Sequence, residues 1–316
     1  MSYFLAVDSG GTKAEYLLAD ETHELKRTFS GTIRRVNADA AVAAENLSAA
    51  LAELERDTGV RMAQVTCTCI GTSGNAVPLV TDWMREEFSR RIGGELLILG
   101  DVEIALDSVF HGGRGVLLLA GTGSNVAARA ANGEIMTAGG WGPNLADQGS
   151  GHFIGLEGLR RGFLARDAQR STQLLERARR LFELPTVDAL IEFANAQHPV
   201  RYASKFAPEV VACAAEGDEV AQEILAQGGR DLAYLASLLI ERMRGIESDS
   251  ATGEFEPPAV AIAGSILAHV EPERAAMQQA LRGLYPTVRF VDKPADPVRG
   301  ALWRAMRGNE APKGTR

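Results

Sequence analysis

The chain has 316 residues, of which 46% are hydrophobic and 23% are charged, and its net charge at pH 7 is -8. This length suits two packed lobes, since a single core rarely grows beyond about 250–300 residues. The acidic balance and the lack of a basic patch argue against nucleic acid as the main partner. Three cysteines cannot make a disulfide framework, which indicates a reducing compartment.

The N-terminus, Met1 to Phe4, has neither a basic region nor a long apolar stretch, so we expect no signal peptide. No other stretch reaches the apolar length of a membrane helix, and we predict a cytoplasmic protein without a membrane partner. Cys67 and Cys69 alternate in a strand-like run. Because no further Cys/His pair accompanies them, buried strand cysteines are favoured over a metal site.

The first chemical signal is the glycine turn Asp8–Lys13, which lies between two apolar runs that predict the strands of a hairpin. The adjacent Gly10 and Gly11 let backbone N–H groups approach a ligand closely. Thr12 adds a hydroxyl and Lys13 a cation, both suited to phosphate oxygens, and the Asp8 carboxylate could face a magnesium ion shared with them. These residues alone fit a plain hairpin turn equally well.

Strands and helices then alternate: a strand is predicted at 25–30, a helix at 39–56, a strand at 65–70, a helix at 81–91, a strand at 96–99 and a helix from 101 to about 110. This order predicts a largely parallel α/β sheet, whose ligands bind at the carboxyl ends of the strands. Asp8, the loop Gly71–Asn75 and Asp101 follow such ends, so we expect them to converge. On position alone, Asp101 fits a plain helix N-cap best.

The plan of the first hairpin recurs later in the chain. Gly115–Ala120 predicts a strand, Gly121–Asn125 a small-residue turn and Val126–Ala130 a second strand, before the hairpin turn signal Asn132-Gly133. The recurrence predicts a duplicated fold that holds one ligand between its halves. The alternative is a chance match of two Gly/Thr hairpins.

The run Gly139–Gly151 is too rich in glycine for a helix or a paired strand and too apolar for a disordered linker. Its Trp141 ring could lie on the apolar face of a sugar, and its Asp147 carboxylate could accept hydrogen bonds from sugar hydroxyls. A packed turn anchored by Trp141 is the alternative interpretation, but it leaves the many glycines with Asp147 and Ser150 unexplained.

The remainder is predicted to be mostly helical, with helices at 152–165, 168–183, 186–196, 203–216 and 218–244. A strand at 259–263 ends in Gly264-Ser265, which would let an adenosine approach the backbone closely. A helix at 271–283, a strand at 287–291 and a closing helix at 297–307 follow. Residues 309–316 are expected to form a flexible tail.

With these signals in this order, the chain resembles the actin/hexokinase/Hsp70 ATPase superfamily, and within it the BadF/BadG/BcrA/BcrD-type ATPase family on its N-acetylglucosamine kinase side. Asp8–Lys13 and Gly121–Asn125 resemble the two phosphate motifs of that family. Gly139-Gly140-Trp141-Gly142-Pro143 with Asp147-Gln148-Gly149-Ser150 resembles the amino-sugar kinase loop, and Gly264-Ser265 the adenosine motif.

The resemblance implies an α/β, two-lobed, duplicated ribonuclease H-like (actin-like ATPase) fold with a cleft between the lobes. Residues 1–114 would form the N-terminal lobe, with the closing helix at 296–308 packing back on it, and residues 115–295 the C-terminal lobe. The chain departs from the family at Gln148, where Glu is usual. The zinc motif of ROK-type kinases and the P-loop are both absent from the sequence.

In function, the resemblance implies an ATP-dependent amino-sugar kinase that phosphorylates the 6-hydroxyl of N-acetylglucosamine, with ATP and Mg²⁺ as cofactors, and a homodimer. Asp101 would be the general base, which reverses the preference for a plain N-cap, and Asp8 would orient magnesium through water. The implied nucleotide-binding residues are Asp8, Gly10, Gly11, Thr12, Lys13, Gly121, Thr122, Gly123, Ser124, Gly217, Gly264 and Ser265. The implied sugar-binding residues are Asn37, Ser73, Gly140, Trp141, Gly142 and Asp147.

Other functions stay open. Glucosamine or N-acetylmuramic acid could be the acceptor, because loop detail sets the group at C2 or C3. An ATPase that activates a 2-hydroxyacyl-CoA dehydratase needs cysteines that carry an iron–sulfur cluster, but Cys67 and Cys69 lie on a predicted strand and not in a Cys-Gly-x-x-Gly loop. A non-catalytic sugar sensor is disfavoured because both Asp8 and Asp101 are retained.

Overall fold

The computed structural model describes residues 1–73, 75–196, 202–248 and 254–308. Gly74 of the loop after the 65–70 strand and the expected tail at 309–316 lie outside these residues. The chain divides into two compact units. Unit 1 comprises Met1–Arg114, Ala131–Glu134 and the described part of Ala295–Arg316, and unit 2 comprises Gly115–Ala130 and Ile135–Pro294.

The strands of both units, in chain order, are β1 (Tyr3–Ser9), β2 (Lys13–Ala19), β3 (Glu24–Gly31), β4 (Val65–Thr72), β5 (Glu95–Leu99), β6 (Gly115–Ala120), β7 (Ser124–Arg129), β8 (Ile135–Gly139) and β9 (Val260–Ala263). The helices are α1 (Ala40–Thr58), α2 (Pro78–Arg91), α3 (Asp101–Phe110), α4 (Gly151–Asp167), α5 (Leu174–Leu181), α6 (Ala189–Ala196), α7 (Ala203–Ala215), α8 (Glu219–Glu247), α9 (Ser265–His269), α10 (Glu271–Leu284) and α11 (Pro297–Arg307). The described chain contains no helix whose length and apolarity would let it cross a membrane.

Unit 1 is built on a sheet with the strand order β3-β2-β1-β4-β5. The hairpin partners β1, β2 and β3 are antiparallel, whereas β4 lies parallel to β1 and β5 parallel to β4. Both faces of β1 are buried: Leu5 and Val7 pack with α1 and α2, while Phe4 and Ala6 pack with α3 and α11. A strand covered on both faces reads as a continuous apolar run, as this one does.

The closing helix α11 belongs to unit 1 and is held there by a buried ion pair. Arg304 Nε donates to Asp107 Oδ2 of α3 at 2.6 Å. The two helices approach so closely that a Cβ on Gly300 would lie 1.7 Å from the Ile104 carbonyl oxygen, which explains the glycine. Cys67 and Cys69 pack beneath α11 as free, buried thiols, so the interpretation as strand cysteines is confirmed.

Unit 2 repeats much of this plan in a sheet with the order β8-β7-β6-β9. Its β6, β7 and β8 are antiparallel neighbours and β9 is parallel to β6, as β4 is to β1. This matches the duplication expected from the two hairpins. The strand predicted at 287–291 is wrong, because only an isolated parallel bridge joins Phe290 to Val260. The helix predicted at 168–183 begins only at Leu174.

Helices α8 and α10 cover the buried face of this second sheet, with Leu232, Leu239 and Met277 in its core. The helices α4 to α7 pack with the start of α8 into a further apolar cluster around Phe206 and Ile224. Helix α8 thus lies in both clusters and connects the sheet to the helical part of unit 2.

Candidate functional site

In unit 1, strand register brings the expected acidic residues to one edge of the sheet. Asp8 at the end of β1 pairs with Gly71 of β4, and Gly71 pairs with Leu99 of β5. Asp101 opens α3 directly after that strand, and Ser73 lies in the turn after β4. The expected convergence of these residues at the carboxyl ends of parallel strands is therefore present within unit 1.

The carboxylate of Asp8 lies in a strongly acidic environment. Burial, followed by the charges of Asp101, Glu15 and Asp296, raises the pKa of Asp8 to about 7, although Lys13 opposes the shift. Carboxylates that repel one another in a partly desolvated site are favourable partners for a divalent cation. The edge of the unit 1 sheet therefore concentrates negative charge where the sequence predicts metal and base chemistry.

Asp101 is not the N-cap of its helix. The cap residue of α3 is Gly100, which offers no side chain, and Asp101 occupies the first helical position. Its Oδ1 accepts a hydrogen bond from the backbone N–H of Val102 at 2.9 Å. That bond uses one of the two carboxylate oxygens. The plain N-cap interpretation of Asp101 is wrong.

The first turn, between β1 and β2, is closed by a 3.0 Å hydrogen bond from Gly10 N–H to the Lys13 carbonyl. Thr12 is exposed, and the Lys13 ammonium lies 5.2 Å from the centroid of the Phe29 ring. A Cβ on Gly11 would lie 3.4 Å from Nη1 of Arg34. A second cation therefore stands beside the turn, in addition to the expected Lys13.

Arg34 was missed by the sequence analysis. Its Nε is buried and has no hydrogen-bond partner among the described residues, an arrangement that suits an anion. The Asn37 side chain would lie 4.0 Å from the same Cβ on Gly11, so this expected sugar residue also borders the turn. The signal in the sequence was the Arg34-Arg35 pair in a loop rich in small and polar residues.

The second turn, between β6 and β7, is bound to the start of α4. Gly121 N–H donates to the Gly123 carbonyl at 2.9 Å, and Gly151 N–H donates to the Gly121 carbonyl at 2.8 Å. The N–H of His152 reaches the Thr122 carbonyl at 3.2 Å. These bonds fix the backbone of the turn against the helix that follows the glycine-rich loop.

Side chains add to this attachment. Ser124 Oγ donates to the Gln148 carbonyl at 2.7 Å, and Ser124 N–H donates to Asp147 Oδ1 at 3.3 Å. The other carboxylate oxygen of Asp147 lies 3.0 Å from the position of a Cβ on Gly123. The Asp147 side chain is only 6% exposed. Asp147 thus braces the second turn, a contact that the sequence did not reveal.

The glycine-rich loop itself needs its glycines and presents an open ring. Gly139, Gly140 and Gly142 have φ values of +76°, +70° and +89°, a region that L side chains rarely adopt. Between them the Trp141 side chain is 74% exposed. The alternative interpretation of Trp141 as a packed anchor is therefore wrong, and the indole face is free to meet a ligand.

A cavity of about 460 Å³ opens beside the second turn within unit 2. The expected residues Gly121, Thr122 and Ser265 line it. Its wall also contains Lys205 of α7 and His269 of α9, which the sequence analysis missed. Apolar side chains complete it, namely Ala207, Pro208, Val211, Ile266 and Val270. An apolar slot with a few polar groups beside a glycine turn is typical of a small-molecule pocket.

Gly264 places Ser265 at this cavity. Its φ is +85°, and a Cβ there would lie 2.3 Å from the Ala120 carbonyl oxygen, so only glycine fits where β9 meets β6. Gly217 does not join the group. It lines a different cavity, of about 430 Å³, together with Arg170, Thr172 and Glu219.

The fold places the chain in a known class. A proposed N-acetylglucosamine kinase from Chromobacterium violaceum superposes with a TM-score of 0.70 and 22% identity over 96% of this chain and 98% of that one. A ROK family glucokinase from Streptomyces griseus, solved with glucose and AMPPNP, superposes with a TM-score of 0.58. It is 18% identical, and the match covers 97% of this chain and 100% of that one. The fold is thus the actin-like ATPase fold of these kinases. The chain belongs to the BadF/BadG/BcrA/BcrD ATPase family, whose model matches residues 5–305.

Two curated relatives span nearly the whole chain. An N-acetylmuramic acid/N-acetylglucosamine kinase from Clostridium acetobutylicum is 24% identical over 311 residues, covering 96% of this chain and 97% of the relative. An N-acetyl-D-glucosamine kinase from Dictyostelium discoideum is 28% identical over 325 aligned positions, with the same two coverages, 96% and 97%.

Proposed function

We propose that this sugar kinase transfers the γ-phosphoryl group of ATP to the 6-hydroxyl of N-acetylglucosamine. The observation that carries the proposal is that Asp8 and Asp101 lie close together at the carboxyl edge of the unit 1 sheet. Membership of an ATPase family over residues 5–305 supports ATP as the donor, and the names of both curated relatives support the acceptor.

In unit 2, the turn Gly121–Ser124 and its neighbouring cavity are proposed to hold the nucleotide. The apolar wall with Ile266 and Val211 suits an adenine ring, and Lys205 supplies a cation at the rim. Glycines at the turn leave backbone N–H groups accessible to phosphate oxygens. In unit 1, the predicted phosphate contacts are still Gly10, Gly11, Thr12 and Lys13. We add Arg34 to them, because its buried Nε has no hydrogen-bond partner among the described residues.

Asp8 is the residue that fits a magnesium ion. Among the described residues, no three His, Cys, Asp or Glu side chains are grouped so that they could hold a metal by themselves. Mg²⁺ usually keeps several waters and binds through one or two carboxylates together with substrate phosphates, so a single acidic residue in an acidic environment suffices. The ion would supply charge neutralisation on the phosphates, and Asp8 would hold its water shell.

Asp101 is proposed to accept the proton of the 6-hydroxyl as that oxygen attacks phosphorus. Its carboxylate lies in the first turn of α3, next to the proposed magnesium residue Asp8, whose pKa its charge raises. A positioned general base contributes about 10²–10⁴-fold in rate. Most of the remaining acceleration in phosphoryl transfer comes from alignment and charge stabilisation.

For the sugar, the exposed ring of Trp141 is proposed to cover the apolar face of the pyranose, with Gly140 and Gly142 giving the loop its shape. Asp147 is still predicted to accept hydrogen bonds from sugar hydroxyls, although its Oδ1 already accepts one from the Ser124 N–H. Asn37 and Ser73 also stay predicted sugar contacts. Gln148 carries a neutral amide where the family usually has the carboxylate of Glu. Its Oε1 is buried and has no hydrogen-bond partner among the described residues.

Two alternatives are favoured less. The name of the Clostridium acetobutylicum relative supports N-acetylmuramic acid as a second acceptor, and glucosamine remains the deacetylated variant. An electron-transferring dehydratase activator would need thiolates that bind a cluster. Burial, with a smaller contribution from Glu95, raises the pKa of the Cys67 thiol to about 11, which disfavours the thiolate form.

The proposal is tested by coupled ADP release with glucose, glucosamine, N-acetylglucosamine and N-acetylmuramic acid as acceptors. We expect the highest kcat/KM with N-acetylglucosamine and a 6-phosphate product identified by NMR. The lack of stimulation by any of the four sugars would refute the kinase proposal, and a preference for another of them would reassign the acceptor.

The role of the loop is tested by Trp141→Ala, with Leu145→Ala as the matched control. Both side chains lie on the same loop and are largely exposed, 74% and 81%. We expect Trp141→Ala to raise the KM for the sugar about fivefold or more, because stacking on an aromatic ring contributes about 1 kcal/mol. Leu145→Ala should leave that KM within twofold, and equal effects of the two variants would remove Trp141 from the sugar site.

A further inference from the structure

Beneath the glycine-rich loop lies a carboxyl group that the proposed chemistry does not use. Glu273, in the first turn of α10, is 0% exposed. Neither of its carboxyl oxygens has a hydrogen-bond partner among the described residues. A buried, unpaired carboxylate is costly, so a protein retains such a group only in a form or a place that offsets the cost.

The group is wedged between the loop and helix α8. Glu273 Oε1 lies 2.8 Å from the position of a Cβ on Gly149 and 2.7 Å from that of a Cβ on Gly228. A Cβ added to Gly228 would also lie only 3.2 Å from the Cα of Gly149. Three elements therefore meet at this point, and the absence of side chains at both glycines makes room for the carboxyl group.

Within the described chain, no cation compensates the group. The charged residue that acts on it from α8 is Asp231, whose Oδ1 accepts from Gln227 Nε2 at 2.6 Å. On α10 itself, Arg274 is turned away and donates to the Leu267 and Ala268 carbonyls at 2.8 Å.

The more distant charges Arg230, Arg161 and Glu157 influence the pKa of Asp231, and none of them is a cause of the shift at Glu273. Burial first, and then the Asp231 charge, raises the pKa of Glu273 to about 9. The dipole of α10 favours the charged form, but burial has the larger effect, so Glu273 is an uncharged acid at neutral pH.

Gly149 is a sensitive point of the loop. The residues before it, Asp147 and Gln148, bind Ser124 of the second turn. The residue after it, Ser150, caps α4 by accepting the Phe153 N–H at 3.1 Å. Any displacement of Gly149 therefore moves the end of the glycine-rich loop, Gly139–Gly151, which we call the sugar loop.

We propose that Glu273 is a positioning residue of this kinase, which as an uncharged acid supports Gly149 and holds the sugar loop, and which releases that loop when it ionises. The link to the sugar rests on the proposed function; the support of the loop does not. The ionised carboxylate has no partner among the described residues and draws in water, and the loop above it loosens.

The test that does not depend on activity compares wild type with Glu273→Gln, which is isosteric and cannot ionise. Because the folded-state pKa of Glu273 lies above its ordinary value of 4.5, its contribution to stability is complete below pH 4.5 and is lost as pH rises towards 9. The ratio of the unfolding constants of wild type and Glu273→Gln, measured in urea, should rise by up to about tenfold per pH unit in that window. Glu271→Gln, on the same turn and exposed, should behave as wild type.

Loop release is read by amide hydrogen exchange of residues 140–150 at pH 9.5, with all variants compared at that one pH. We expect faster exchange in wild type and Glu271→Gln than in Glu273→Gln. Should the isosteric variant fold poorly, Glu273→Met provides the same comparison with an apolar side chain of similar length. Equal stability slopes, or equal loop exchange, in wild type and both Glu273 variants would overturn the proposal.

The kinetic counterpart is a rise of the sugar KM above pH 9 in wild type, with little change in kcat, that is absent in Glu273→Gln. A protein without turnover on any sugar would refute the proposed function and leave the stability and exchange results intact. A kinase whose sugar KM follows the same pH profile in both forms would instead refute the positioning role alone.

Discussion

The two glycine turns repeat one strand plan but are held in different ways. The first turn, Gly10–Thr12, has a single closing bond and an anchor from Thr32 Oγ1 to the Gly10 carbonyl at 2.8 Å, and it lies among charged side chains. The second turn, Gly121–Gly123, is bound along its backbone to α4 and the glycine-rich loop. The two units therefore share a strand plan, while the first turn lies among charged groups and the second is braced by its neighbours.

The strongest way to break the comparison is to remove the proposed base from unit 1. We expect Asp101→Asn to lower kcat by about 10²–10⁴-fold with little change in either KM, because the amide keeps the shape and cannot accept the proton. Steady-state ADP release measures this. Asp82→Asn, at an exposed position of α2, is the matched control and should retain wild-type turnover. Near-full activity of Asp101→Asn would show that another group takes the proton.

Asp8→Asn separates stability from activity. The folded-state pKa of Asp8, about 7, lies above its ordinary 3.8, so its contribution to stability is complete below pH 3.8 and is lost as pH rises through 7. At pH 8 without magnesium, the uncharged amide should therefore raise the free energy of unfolding by about 1–3 kcal/mol. The same change should abolish most magnesium-dependent turnover.

Urea unfolding at pH 5 and pH 8 checks the sign of this effect. The increase in the free energy of unfolding caused by Asp8→Asn should be smaller at pH 5, where wild-type Asp8 is protonated in the folded protein. Asp82→Asn should show no such pH dependence. A destabilised Asp8→Asn protein at pH 8 would mean that a partner in unit 1 compensates the charge.

Loss of support in the second turn gives the next smaller effect. Ser124→Ala leaves the Gln148 carbonyl without its 2.7 Å hydrogen bond in a buried place, which should cost about 1–3 kcal/mol of unfolding free energy. Thr12→Ala, in the exposed first turn, should cost less than about 0.5 kcal/mol. Thermal unfolding of the two variants compares the turns directly, and equal losses would contradict the contrast between them.

The sequence was informative where signals are local. Glycine turns between apolar runs, and the parallel order of β1, β4 and β5, follow from spacing alone and placed Asp8 and Asp101 at one sheet edge. The N-cap interpretation of Asp101 failed because Gly100, without a side chain, takes the cap position and shifts the helix start by one residue. A strand was predicted at 287–291, but pairing there is reduced to a single bridge between Phe290 and Val260.

What the sequence could not reveal depends on contacts between distant segments. Arg34 is separated from Gly11 by the strands β2 and β3 and reaches it only through the loop that follows β3. Glu273 reads as an ordinary first-turn acid of a helix, and only the close crossing at Gly228 and Gly149 buries it. The rim residue Lys205 likewise borders a cavity only because α7 and α9, which are distant in the sequence, line the same space.

The smallest effect concerns that rim, where Lys205 places a cation beside the second turn of unit 2. We expect Lys205→Ala to raise the KM for ATP about two- to fivefold, because an exposed cation contributes about 0.5–1 kcal/mol to binding an anion, and to leave the sugar KM unchanged. The effect should shrink at high salt, since exposed charges are screened. Lys293→Ala removes another exposed ammonium of unit 2 and should change neither KM. If Lys205→Ala leaves the KM for ATP unchanged at low salt, the nucleotide binds outside this cavity. The second turn, which is hydrogen-bonded to α4 and the glycine-rich loop, would then have a structural role only.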